Sequence, residues 1–254
     1  MGKKPLLSII TPSYNQGAFI EETILSVLHQ DYSNIEYIVI DGGSTDNTIE
    51  VIKKYGEKIK WMSEPDRGQA DAINKGLRMA KGEILAWINS DDTYNPGSLN
   101  TVVGLFSENP ERVMVYGDAH FIDRDGNVKG KYPTEQFSLK RLADTCFICQ
   151  PTVFMRAQVF NEIGMLDTNL HTCIDYDYWI RIGKHYPANR ITYLKGVYLA
   201  NSRMYDENKT IRMRKEVYKE GMKTQKKYFG RYSRIWIRGY IKEIIIGTRF
   251  KIGR

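Results

Sequence analysis

The sequence predicts an α/β fold: a mixed, mainly parallel sheet flanked by helices, followed by a basic helical C-terminal extension. Three observations lead there. Apolar runs of strand character alternate with stretches whose apolar residues recur at helical spacing. Carboxylates and turn-forming residues gather where those runs end. The cationic excess is confined to the last part of the chain, where residues 201–254 hold 16 Lys/Arg against 5 Asp/Glu, net +11, while residues 1–200 hold 21 against 25.

The first run, Leu6-Leu7-Ser8-Ile9-Ile10, ends in Thr11-Pro12-Ser13-Tyr14-Asn15. Ile20, Ile24, Val27 and Leu28 then recur as one face of a helix. A second run, Ile35–Ile40, enters Asp41-Gly42-Gly43-Ser44-Thr45-Asp46, whose glycines allow a tight turn and whose oxygens suit the N-cap of a helix through Ile49, Val51 and Ile52. A third, Ile84-Leu85-Ala86-Trp87-Ile88, breaks into Asn89-Ser90-Asp91-Asp92. This rhythm is that of a parallel sheet, which gathers its ligands at the carboxyl ends of its strands. Further on, Val113–Asp118 reads as a strand, Asp123-Arg124-Asp125-Gly126-Asn127 as a hairpin turn, and residues 170–182 as a helix. Residues 1–202 are expected to form one catalytic domain, with 1–98 as its donor-binding half and 99–202 as its acceptor half, and 203–254 a basic tail.

Asp91 and Asp92 are the most informative pair. Unpaired carboxylates are costly to bury, but two of them at a strand exit can hold a hard divalent cation that shares its shell with phosphate oxygens. Alone, such a pair reads equally well as a solvated turn or a helix cap.

In combination these segments resemble the family 2 glycosyltransferases of the GT-A (Rossmann-like) fold. Thr11–Asn15, Asp41–Asp46 and Asn89–Asp92 match three successive nucleotide-sugar signatures, with Glu64-Pro65-Asp66-Arg67-Gly68-Gln69-Ala70-Asp71-Ala72-Ile73-Asn74-Lys75-Gly76 between them. Asp175-Tyr176-Asp177-Tyr178-Trp179-Ile180-Arg181 is similar to the acidic acceptor-side motif, departing from it at Ile174, where an acidic residue is usual. The resemblance runs over about residues 6–181. It implies an inverting, non-processive, metal-dependent transfer of sugar from a nucleoside-diphosphate donor, UDP-sugar favoured, to a glycan or lipid-linked glycan, with Mn²⁺ or Mg²⁺ as cofactor. The processive branch's Gln-x-x-Arg-Trp motif is absent.

Carried over residue by residue, the resemblance makes Asp92 the direct metal ligand, and gives Asp91 to the ribose or a metal-bound water. Asp41 becomes the acceptor for a nucleobase N–H, as a carboxylate would be for uracil. Thr11, Pro12 and Tyr14 line base and ribose, partly through backbone groups. Arg67 is either a diphosphate contact or a solvated charge, and Asp71 and Asn74 either face the donor sugar or cap a helix. Asp175 is the general base, for which a carboxylate within hydrogen-bond reach of the acceptor hydroxyl suffices. Asp177 competes with it, but on a helix the two side chains point about 200° apart, so one alone can face the cleft. Gln150 falls on the acceptor side or is a buried structural amide.

Composition bounds the rest. With 254 residues, 42% hydrophobic, the chain can bury an ample core. No apolar run approaches the ~20 residues of a membrane span, and the start, Met1-Gly2-Lys3-Lys4-Pro5, reads as neither signal peptide nor myristoylation site, so a cytoplasmic location is expected. Three cysteines, Cys146, Cys149 and Cys173, suit a reducing compartment. With His171 they have zinc-ligand chemistry, but their apolar neighbours favour packed thiols. In the tail, Arg231, Arg234, Arg238, Lys242 and Arg249 share a helical face, with Trp236, Ile237, Tyr240 and Ile244 opposite. That layout suits an interfacial helix on an anionic membrane through residues 231–254, against the alternative of docking on the domain. No nucleic-acid recognition fold is found, so nucleic acid is not an expected partner. Two other functions compete: a sugar nucleotidyltransferase, disfavoured because Thr11–Asn15 stands where a Gly-rich loop would be, and a catalytically silent, membrane-tethered scaffold.

Overall fold

The computed structural model describes residues 4–252, with side chains to residue 245. In chain order β1 (Leu7–Ser13), α1 (Ile20–Leu28), β2 (Ile35–Asp41), α2 (Thr48–Lys53), β3 (Lys60–Ser63), α3 (Gln69–Met79) and β4 (Ile84–Trp87) alternate; β1, α1, β2, α2 and β4 fall where the sequence predicts them, and β3 is a strand it does not. β5 (Thr93–Tyr94), α4 (Ser98–Glu108), β6 (Met114–Ile122), β7 (Val128–Lys131), α5 (Leu139–Leu142), β8 (Phe154–Arg156), α6 (Ala157–Ile163), α7 (Ile174–His185) and β9 (Ile191–Arg203) complete the sheet and its cover. The chain then turns helical in α8 (Lys209–Arg212), α9 (Arg214–Phe229) and α10 (Arg234–Ile252).

The strands form one sheet in the order β3-β2-β1-β4-β8-β6-β9-β5, with β7 hairpinned onto β6. β3, β2, β1 and β4 run parallel, so the exits of β1, β2 and β4 share one edge; Ser13 pairs directly with Asp41. β8 is antiparallel to both β4 and β6, and β9 is parallel to β6, which joins the two halves into a single sheet. Alternating side chains divide the core. Leu7, Ile9, Val39 and Ala86 pack with Ile24, Val27, Val51, Val102 and Phe106 of α1, α2 and α4. Ile10, Ile38, Leu85 and Trp87 pack with Ile73, Leu77, Phe160 and Trp179 of α3, α6 and α7.

Two further stretches differ from the sequence expectation. β1 continues through Thr11-Pro12-Ser13, all buried, beyond the apolar run that predicts it. β9 ends at Arg203, so a division at 202/203 falls inside a core strand rather than before a tail. β9 also bulges: Leu194 lies opposite Gly117 and Tyr198 opposite Asp118, leaving residues 195–197 out of the ladder. Asp118 holds that bulge, accepting from the Tyr193 hydroxyl at 2.5 Å and the Gly196 N–H at 2.8 Å.

The tail docks in part. Trp236 is buried, stacking on Tyr176 at 5.3 Å and meeting Tyr218 edge-on at 5.8 Å. Gly221 faces the Trp236 ring and Gly239 faces Tyr218; a Cβ at either would overlap the aromatic, so these glycines set how closely α9 and α10 approach. The expected apolar face is therefore corrected: Trp236 belongs to the domain, because a large indole gains more from a stack on a buried ring than from an exposed position. Ile235, Ile237, Ile241, Ile244 and Ile245 stay exposed, beside exposed Arg234, Arg238 and Lys242. Arg231 pairs with Asp144 at 2.9 Å, and Arg249 lies outside the described side chains. Among the described residues no helix is long and apolar enough to cross a membrane.

Candidate functional site

The acid pair follows β4 on the shared edge and is clasped by the end of β9. The Arg203 N–H donates to Asp92 Oδ1 at 2.9 Å, and Asn89 Nδ2 to Asp92 Oδ2 at 3.1 Å. Arg203 is 1% exposed, and its guanidinium spans Asp91 O (2.8 Å), the Asp123 and Arg124 carbonyls, and Glu22 (2.5 Å). Thr23 Oγ1 holds the Asp92 carbonyl at 2.7 Å. Beyond β9 the chain crosses the pair: Tyr205 Oη and Asn208 Nδ2 both reach Asp91 Oδ2, at 3.1 and 3.3 Å. Lys209 donates to Gln69 (3.2 Å), which donates to Asn89 (2.6 Å).

The electrostatics of the pair fit a cation. Burial, and for Asp92 also the charge of Asp91, push both carboxyls above their ordinary range. Arg203 directs its guanidinium to Glu22 and to carbonyls, and neither Asp91 nor Asp92 is in a salt bridge among the described residues. Two crowded oxygen donors of this kind match a hard divalent ion completed by phosphate oxygens. Among the described residues no group of three or more His, Cys, Asp or Glu gathers as a ready-made cage.

Asp175 opens α7, half-buried, with its Oδ1 on the Tyr176 N–H at 2.8 Å. Burial raises its pKa to about 6. Lys209 and Glu220 lie within electrostatic reach of it, and Cys149 feels the charges of both Asp92 and Asp175. Asp92 and Asp175 are thus both near Cys149, and Lys209, which donates to Gln69, is also near Asp175. Asp177 is turned away from this group. It is 1% exposed and bound to Arg181 (2.9 Å), Tyr228 (2.8 Å) and Lys227 (3.4 Å), so the acceptor-side expectation for it is corrected: its helical phase aims it at α9.

Other expected residues divide similarly. Asp41 is fully buried, and its carboxylate is taken up by Gly43 N, Ser44 N, Ser44 Oγ and Ser63 Oγ, which shape its own turn. Thr11 turns its hydroxyl to Tyr37 (3.0 Å) and lies opposite Val39 in the β1–β2 ladder, Pro12 is buried, and Tyr14 is 60% exposed on the edge. Arg67 pairs with Asp71 at 3.1 Å, and Asp71 also takes the Arg67 N–H in the first turn of α3, the capping alternative. Asn74 neither caps nor faces a sugar: it exchanges two hydrogen bonds with the Leu166 backbone, at 2.9 and 3.0 Å. Gln150 donates to the Trp87 carbonyl (2.7 Å) while its buried Oε1 has no protein partner. Cys149 and Cys173 are buried, and burial pushes the thiol pKa of all three cysteines up, keeping them protonated.

Sequence reasoning missed Arg203, Tyr205, Asn208 and Lys209. They lie in a stretch whose only local signal is charge, over a hundred positions from the residues they touch, Asp92 and Asp91 for the first three and Gln69 for Lys209.

Residues 8–164 match the profile of Glycosyl transferase family 2. An uncharacterized glycosyltransferase of Rickettsia felis is 32% identical over 188 residues, covering 70% of this chain and 31% of that protein. A hyaluronan synthase of Pasteurella multocida is 28% identical over 200 residues, covering 76% of this chain and 20% of its own length. Among solved structures, S. aureus TarS in complex with UDP-GlcNAc matches with a TM-score of 0.68 at 20% identity, covering 87% of this chain and 65% of that one. The mannosyltransferase PcManGT from Pyrobaculum calidifontis, in complex with GDP-Man and Mn²⁺, matches with a TM-score of 0.68 at 18% identity, covering 87% and 63%. At these identities the structural likeness shows the fold, GT-A. The chain spans 27% to 58% of the length of its Rickettsia relatives.

Proposed function

The chain belongs to Glycosyl transferase family 2, and from that premise we propose that it transfers a sugar, with inversion, from a nucleoside diphosphate to a hydroxyl of a glycan or lipid-linked glycan. The observation that supports the reading is the clasped pair Asp91–Asp92 on the carboxyl edge, with Asp92 and Asp175 both within electrostatic reach of Cys149.

Asp92 and Asp91 would hold Mn²⁺ or Mg²⁺, which supplies charge to stabilise the departing diphosphate. Asp175 accepts the proton of the acceptor hydroxyl. The hydroxyl oxygen bonds to the anomeric carbon as the bond from that carbon to the diphosphate breaks on the opposite face. With no protein nucleophile assigned beneath the sugar, one displacement inverts the anomeric centre. The Asp41 turn and the backbone of Thr11–Tyr14 would receive the base. Asp41 Oδ1 takes the Ser44 hydroxyl and keeps a lone pair that could accept an imide N–H such as uracil's. UDP-sugars are therefore the first donors to try. Lys209 would approach the diphosphate as a point charge from the crossing segment.

The exposed isoleucines of α10, flanked by Arg234, Arg238 and Lys242, would lie in the headgroup layer of an anionic membrane, peripheral on its cytoplasmic face, and bring the cleft to lipid-linked acceptors. Sedimentation with vesicles containing phosphatidylserine, but not with neutral vesicles, is expected; pelleting with neither, or equally with both, counts against it. For the chemistry, the test is release of nucleoside diphosphate from UDP-, GDP- and TDP-sugars with Mn²⁺ and after chelation. Release with one donor class, abolished by chelator, is expected; no metal-dependent release with any donor overturns the reading.

A further inference from the structure

We propose that Glu220 of α9 is a positioning residue for transfer, gathering the three backbone N–H groups that lead into the helix carrying Asp175. The inference rests on Asp175 being the base.

α7 starts without a cap of its own. Its N-cap residue is Cys173, which supplies no side-chain hydrogen bond to the first turn, and whose thiol instead meets the Val217 carbonyl at 3.4 Å. Glu220 supplies the anchor from another helix. Its Oε1 accepts the His171 N–H at 2.9 Å. Its Oε2 accepts the Thr172 N–H at 2.6 Å, the Thr172 hydroxyl at 2.7 Å and the Cys173 N–H at 2.7 Å. Four donors on one carboxylate fix the turn immediately before residue 175, and so the orientation of the base. α9 also holds the first turn of α7 itself, through Gln225 on the Tyr176 hydroxyl (3.2 Å) and Tyr228 on Asp177 (2.8 Å), while Glu220 alone takes the three N–H groups that precede it. Residue 220 lies beyond the segment that matches the family profile, so the anchor comes from the C-terminal extension.

Charge separates this role from plain bracing. Burial pushes the Glu220 carboxyl up, but the hydrogen bonds from His171, Thr172 and Cys173 outweigh it and hold the group below its ordinary range, so it is anionic at neutral pH. That anion raises the pKa of Asp175, while Lys209 opposes it. Tyr132, Cys146, Cys149 and Cys173 also lie in reach of Asp175, and burial keeps all four neutral. Glu220→Gln removes the charge and at least one of the four acceptor contacts, because its amide nitrogen cannot accept: the His171 contact if it takes the place of Oε1, the other three if it takes the place of Oε2.

The test is donor hydrolysis, with water in place of the acceptor, by Glu220→Gln, Thr172→Val and Asp175→Asn of the full chain, using the nucleotide sugar the native protein cleaves fastest. Glu220→Gln is expected to lower kcat by roughly 10- to 100-fold, leave UDP affinity unchanged, and move the acid limb of the pH–rate profile to lower pH. Thr172→Val, which loses one bond and keeps the charge, should lower kcat by a few-fold with the limb unmoved. It carries the test if Glu220→Gln does not fold: native kcat in Thr172→Val then overturns the proposal. Native kcat in Glu220→Gln, or equal losses of kcat and UDP affinity with an unmoved limb, likewise overturns it. Retention of native hydrolysis by Asp175→Asn sinks the assignment of the base itself, a failure distinct from the others.

Discussion

Two pairs of acids, Asp91–Asp92 and Asp175–Asp177, look alike in the sequence and end differently in the fold. The first pair leaves a strand at the edge where ligands collect, and both members stay together under one clasp. The second lies in the first turn of a helix, where a spacing of two residues separates the side chains. Asp175 stays half-buried with its Oδ1 on the Tyr176 N–H, and Asp177 disappears among Arg181, Tyr228 and Lys227. A strand exit keeps neighbouring acids on one site, whereas a helix divides them between site and core.

Substitutions sharpen that contrast. The largest effect is expected at the strand exit: Asp92→Asn should lower metal-dependent nucleoside diphosphate release by ~10³-fold or more, with Asp91→Asn reducing it less. Equal, small losses at both positions would erase the distinction between ligand and neighbour. At the helix, Asp175→Asn should cost about 10²–10⁴-fold in rate while nucleotide still binds, read by titration with UDP. The same base sets a pH dependence. Its raised pKa means that the carboxylate is protonated and inactive below about 6, so the native rate should climb through that region and level above it. A flat profile from pH 5 to 8 would remove Asp175 from the reaction.

Its partner predicts the opposite split. Asp177→Asn strips the half-buried Arg181 of its counter-charge, so it should destabilise the fold by about 3–5 kcal/mol in denaturant unfolding, with kcat of the folded fraction preserved. A selective loss of kcat would return Asp177 to the cleft. Least disruptive is Asn74→Ala, which breaks two buried hydrogen bonds to Leu166 and should cost about 1–3 kcal/mol without altering KM for the donor. A raised KM would restore it to the donor site.

What could be read in the sequence follows the same division. The parallel half, the strand exits and the acid pair were legible because period-two runs and turn residues fix a strand's end locally. The hairpin at Asp123–Asn127 was legible for the same reason. Thr11, Asn74 and Asp177 were not, since their partners Tyr37, Leu166 and Tyr228 arrive from distant elements. Arg203 was read as tail charge because nothing nearby signals that it is buried. Trp236 was assigned to the outer face by helical phase alone, and the ring of Tyr176 decided otherwise.

The Arg203 clasp has a consequence for biosynthesis. Its contact with Asp92 joins positions 111 residues apart, so a ribosome delivers the two aspartates long before the strand that steadies them. The nascent chain can assemble its first parallel strands early, yet it carries an unripe catalytic mouth until translation passes residue 203. Messages truncated ahead of that codon would yield a sheet with no working mouth.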